Sequence, residues 1–74
     1  MNELEFTIGM IEYKKQQVVC LKYHNEKGQD ILFAKVPSLV YGRRWRCLTT
    51  NQNVKAELAE MLDEALEAIE SRLP

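Results

Sequence analysis

Glycine, cysteine and histidine are scarce in this chain, and each scarcity removes a class of function. The three glycines, Gly9, Gly28 and Gly42, stand apart from one another, so no glycine-rich loop is present to cradle a phosphate. The two cysteines, Cys20 and Cys47, form no CxxC pair, and His24 is the single histidine. That excludes the ligand spacing of a structural metal site, and nothing else in the sequence implies a cofactor. No apolar run approaches the length a bilayer requires, and "MNELEFTIG" is acidic where a signal peptide opens basic. The expectation is a cytoplasmic protein with free thiols and no membrane partner. Internal repeats, low-complexity tracts and linkers are also missing, so residues 1–74 read as one domain.

Catalysis finds little to work with. A nucleophile needs a base within reach. Cys20 and His24 sit four apart in a predicted strand, so they share a face but lie more than about 12 Å apart at a rise of about 3.3 Å per residue. Most carboxylates fall on the solvent face of a predicted helix. The chain reads as a non-enzyme.

What is present is a division of charge. Residues 1–55 carry nine Lys/Arg and five Asp/Glu, a formal +4, whereas residues 56–74 carry one Arg and six Asp/Glu, a formal −5. A basic body with an acidic end steers partners more than the net charge of −1 does.

The hydrophobic pattern predicts an α+β fold. "LEFTIGMIEY" (4–13) alternates as a half-buried strand, with Leu4, Phe6, Ile8 and Met10 on one face. "KKQQ" (14–17) turns without the Asn-Gly of a tight hairpin, and "VVCLKYH" (18–24) is rich in β-branched and aromatic residues. "NEKGQ" (25–29) is a turn, and "DILFAKV" (30–36) is a third strand that Pro37 should end. "RRWRCLT" (43–49) suggests a short fourth strand at an edge, with Trp45 and Cys47 on one face. Thr50, Asn51 or Asn53 is the expected helix cap. From Val54 the period becomes 3.6: Val54, Leu58, Met61, Leu62, Ala65, Ile69 and Leu73 form one stripe of a helix over roughly 54–72, which Pro74 ends. The prediction is an antiparallel meander sheet of three or four strands, covered on one face by a single long C-terminal helix. Phe6, Ile8, Leu21, Phe33, Leu58, Leu62, Ala65 and Ile69 are its candidate core. So small a core, with apolar Ile11 and Tyr13 opposite Ile8 and Met10, also predicts a homodimer.

Two surfaces are candidate sites. In "GRRWR" (42–46), Arg43, Arg44 and Arg46 bracket the only tryptophan, Trp45. Trp and Arg are the residue types most enriched in protein-binding hot spots. The same residues, with Lys14, Lys15, Lys22 and Lys35, would also suit single-stranded nucleic acid, arginines on phosphates and Trp45 stacked on a base. A third reading makes Trp45 the end of the core and the arginines a solvated strand edge. The other surface is the outer helix face, where Glu57, Glu60, Asp63, Glu64, Glu67 and Glu70 have almost no basic companions. Glu60 with Glu64, and Asp63 with Glu67, are like charges at i,i+4, which mildly destabilise a helix. That suggests either a solvated face that keeps the chain soluble or a surface for a basic partner protein. A pI of about 5.8 is low for a nucleic-acid binder.

"LKYHNEKGQDILFAKVPSL" and "TTNQNVKAELAEMLDEALEAIE" together resemble HicB-type antitoxins over residues 18–70. In that family a hairpin leads through a third strand ending Val-Pro-Asp-Leu into a Thr-led helix rich in Glu and Ala. Ser38 stands where the Asp is usual, "RRWRC" has no counterpart, an extra strand precedes the pattern, and the family's DNA-binding domain is absent. The resemblance implies a small module that neutralises a basic, RNA-cleaving toxin by binding it.

Overall fold

A computed structural model describes residues 6–40 and 42–72. Five strands, β1 (Phe6–Tyr13), β2 (Gln16–His24), β3 (Asp30–Ser38), β4 (Gly42–Cys47) and β5 (Gln52–Asn53), precede one helix, α1 (Ala56–Glu70). The strands form a single antiparallel sheet in sequential order. The α+β meander is as expected, with one strand more. Leu4, Leu73 and Pro74, expected in the first strand, the stripe and the chain end, lie outside the described residues.

Strand alternation sorts the apolar side chains onto two faces. On one, Leu21, Phe33, Trp45 and Cys47 meet Leu62 and Leu66 of α1, and Phe6, Ile8, Leu58, Ala65 and Ile69 pack around them. On the other, Val18, Ala34 and Val36 are buried with help from Ile11, Tyr13 and Leu48. The residues that suggested a dimer, Ile8 on one face and Ile11 and Tyr13 on the other, therefore have homes within the chain. Met10 does not: it is exposed.

Two local expectations fail, each for a physical reason. Pro37 does not end β3, which runs on to Ser38. Pairing with β2 stops at Ala34, so Pro37 has a neighbour on the β4 side alone and its missing N–H interrupts no second ladder. Neither Thr50, Asn51 nor Asn53 caps the helix. The N-cap is Lys55, with no side-chain hydrogen bond, because Arg46 engages the Oδ1 atoms of Asn51 and Asn53 at 2.8 and 3.0 Å. Within "TTNQN" (49–53), Thr49, Thr50 and Asn51 form a turn, and Gln52–Asn53 is β5 itself.

The β1–β2 turn is strained. Lys14 and Lys15 both have positive φ, 47° and 67°, as in a type I′ hairpin, a conformation Asn-Gly adopts easily and lysine does not. Left-handed non-glycine residues cost about 1–3 kcal/mol each. Lys14 recovers some of this by placing Nζ 5.5 Å from the Tyr13 ring centroid, an exposed contact of about 0.5–1 kcal/mol. Replacing the pair (Lys14→Asn with Lys15→Gly) should therefore stabilise the chain by about 1 kcal/mol or more. Urea denaturation midpoints would show it, and an unchanged or lower midpoint would remove the strain argument.

Candidate groove between strand β4 and helix α1

Trp45 is not the surface residue that "GRRWR" suggested. It is 3 % exposed, wedged between sheet and helix. Its indole Nε1–H donates to Asp63 Oδ1 at 2.8 Å, and Lys35 Nζ donates to the same oxygen at 2.8 Å. Lys35 is opposite Trp45 in the β3–β4 register, and its ammonium lies 5.6 Å from the indole centroid. One carboxylate thus fastens the middle of α1 to two adjacent strands. Buried in this way, Trp45 offers no face on which a base could stack, and it makes no protruding hot spot.

Asp63 is consequently different from the other helix acids. Its carboxyl is held below the usual carboxylate range, first by the hydrogen bond from Lys35 and further by that from Trp45, with desolvation acting in the opposite sense. The folded pKa lies below the unfolded value of about 3.9, so this stabilisation is full above about pH 4 and is lost as pH falls through the folded pKa. The Asp63 side chain is 53 % exposed, so the charge component is worth about 1 kcal/mol or less. Asp63→Asn keeps an acceptor for the indole and removes the charge. It should be less stable than the parent at pH 7, and the gap should narrow as pH falls below about 4, read as denaturation midpoints; a gap that does not change with pH would contradict the assignment.

The three arginines also separate. Arg46 is a brace within the chain: its guanidinium donates to Asn53 Oδ1, Asn51 Oδ1 and the Asn51 carbonyl, locking the β4–β5 turn. Asn51 tolerates the left-handed φ of 59° that this turn requires. Arg44 is paired with Val36 in the register and so shares the face opposite the helix. Arg43 is exposed, on the helix side. Together Lys35, Arg43, Arg44, Trp45, Val54, Ala56, Ala59 and Asp63 line a groove of about 400 Å³ between β4 and the first half of α1. That volume lies within the roughly 300–1,000 Å³ of ligand sites. Residues of both candidate surfaces meet in it.

Beyond the groove runs the acidic rim. Glu57, Glu60, Glu64 and Glu67 are spaced 3, 4 and 3 apart, within roughly 80° of one another on the helix. All four are exposed, and among the described residues none forms an ion pair. The helix has no base in its last turn, where a base would suit the macrodipole. The macrodipole accounts for Glu57, which lies in the first turn, but not for Glu64 and Glu67 further along. Glu70 is exposed on the same helix.

The remaining predicted residues lie elsewhere. Lys14 and Lys15, in the β1–β2 turn, share an end of the sheet with Arg43 by the order of the meander, but β2 and β3 pair no further than Cys20 and Ala34 toward that end. Lys22 is exposed on the face opposite the helix. His24 Nδ1 meets Asp30 Oδ1 at 2.8 Å across the β2–β3 hairpin, and that bond lowers the Asp30 pKa. Cys20 is buried, and desolvation raises its thiol pKa against the opposing charge of Lys22. Cys47 is also buried and free. Among the described residues no cluster of His, Cys, Asp or Glu is arranged to hold a metal, and no helix is long and apolar enough to cross a membrane. Comparison of the chain with protein-family models, with curated proteins and with solved structures finds no match.

Proposed function

We propose that this chain is a non-catalytic interaction module that binds and regulates a partner protein, in the manner of an inhibitor or antitoxin. The binding surface is the groove between β4 and α1 with its two rims, Arg43 and Arg44 on the strand side and Glu57, Glu60, Glu64 and Glu67 on the helix side. One observation carries the reading: four exposed glutamates, with no ion-pair partner among the described residues, lie on α1 next to the face whose Ala56, Ala59 and Asp63 line a groove with a basic strand wall. Such a mixed surface suits a protein, which can present both signs. A basic toxin, the target implied by the antitoxin resemblance, is one such partner, and the cytoplasm is the compartment in which it would be met.

The test separates the rims. With a partner captured from nuclease-treated lysate of the source cells, Glu60→Lys, Glu64→Lys and Glu67→Lys together should slow association by roughly tenfold at low salt and flatten its salt dependence, because long-range attraction sets encounter rates. Asp63 is left intact, since reversing it would break the bridge to Lys35 and Trp45. An association rate unaffected by the triple change would refute the role of the stripe.

A second reading, single-stranded nucleic acid, draws on Lys14, Lys15, Lys35, Arg43 and Arg44 lying toward one end of the meander. Loss of acid relieves repulsion of phosphates, so under that reading the same triple variant should bind an oligonucleotide more tightly. Self-association belongs to the proposal too, resting on exposed Met10 and on the outer edge of β1, which has no strand partner among the described residues. A monomeric mass by light scattering at high micromolar concentration would remove it.

A further inference from the structure

The groove has a property beyond its charge: one wall is an unfinished sheet edge. β5 is two residues long and pairs with β4 only at Arg46 and Cys47. The Trp45 carbonyl accepts from Val54 N at 3.4 Å, which fixes the outward side of the strand, and N–H and C=O groups on that side recur every second residue. The backbone of Arg43 therefore points outward as well, where β4 has no ladder neighbour among the described residues. An edge flanked by a helix, with a groove between, is the arrangement that accepts an added strand.

The chemistry around this edge is one-sided. Between Ile31 and Ala56 there is no Asp or Glu, whereas Lys35, Arg43, Arg44, Arg46 and Lys55 all occur. The one carboxylate in the groove, Asp63, already accepts from both Lys35 and Trp45. An incoming strand would set alternate side chains against Arg43 on the helix side and Arg44 on the other, so carboxylates at successive positions are accommodated on both faces. Toward Val54 and Ala59 the wall is apolar.

We infer that the groove binds an extended acidic segment of a partner protein, which adds a strand to the Gly42–Trp45 edge of β4, its carboxylates against Arg43 and Arg44 and an apolar side chain against Val54 and Ala59. The inference rests on the interaction-module reading and names what that partner inserts.

The experiment is selection of a displayed random dodecapeptide library on the intact immobilised chain, followed by study of the most enriched peptide. The selected sequences should carry two or more Asp or Glu within a short stretch that also holds an apolar residue. The synthetic peptide should slow amide exchange at Arg43. Arg43→Glu, a change at an exposed position, should weaken it by roughly tenfold or more through like-charge repulsion, and methylating alternate backbone nitrogens of the peptide should abolish binding. No enrichment, a basic or acid-free consensus, protection confined to β1, or indifference to Arg43→Glu would each overturn the inference. A chain that still captures a protein through its glutamate stripe, yet selects no such peptide, loses this inference and keeps the proposed function.

Discussion

Trp45→Ala is expected to cost about 3–5 kcal/mol of folding stability, the range for truncating a buried tryptophan. At roughly 0.05–0.15 kcal/mol per residue, 74 residues carry about 4–11 kcal/mol in all, so the variant should be close to unfolded at room temperature. The loss has two sources. Removing the indole leaves a cavity between Phe33, Cys47 and Leu62, and it takes away one of the two donors that hold Asp63. Trp45→Phe separates them in large part, because it removes the Nε1 donor together with only two ring carbons. It should retain most of the stability that the alanine variant loses. Denaturation of both variants decides the matter: a Trp45→Ala chain within about 1 kcal/mol of the parent would mean the ring is not buried as described.

Leu62→Ala should be nearly as damaging, at about 2–5 kcal/mol. Leu62 is fully buried, at the centre of the helix face that meets Leu21 and Phe33. Met61, its neighbour in sequence, is 45 % exposed, so Met61→Ala should cost well under half as much. The pair forms an internal control, since both changes shorten an apolar side chain in the same turn of the same helix and only burial differs. A cost below about 2 kcal/mol for Leu62→Ala would mean that α1 is not docked on the sheet in this way.

Periodicity reveals much of this architecture because the fold follows local rules over most of its length. Alternation in Phe6–Tyr13 and the 3.6-residue stripe of Leu58, Leu62, Ala65 and Ile69 are direct consequences of which face is buried. Leu66, four residues after Leu62 and buried with it, fits the same spacing and widens the stripe by about 40°. Asn51 and Asn53 mislead. Their side chains suit a helix cap, but the guanidinium of Arg46, five and seven residues away along the chain, holds them in a turn. The site shows the same limit. Arg43 and the glutamate stripe are visible as unpartnered charge, whereas the fate of Trp45 depends on Asp63 and Lys35, 18 residues ahead and 10 behind. No short-range signal links a tryptophan to an acid on a later helix. An indole flanked by arginines looks the same in sequence whether it faces solvent or fills the core.

The central claim is that the rims of the groove carry binding while the indole carries the fold. Its most direct test is the dissociation constant of a captured partner for two folded variants, Trp45→Phe and Arg43→Glu, measured side by side by calorimetry. The account predicts that Trp45→Phe stays within about threefold of the parent, whereas Arg43→Glu loses roughly tenfold or more. The reverse order, with Trp45→Phe losing affinity and Arg43→Glu indifferent, would contradict it.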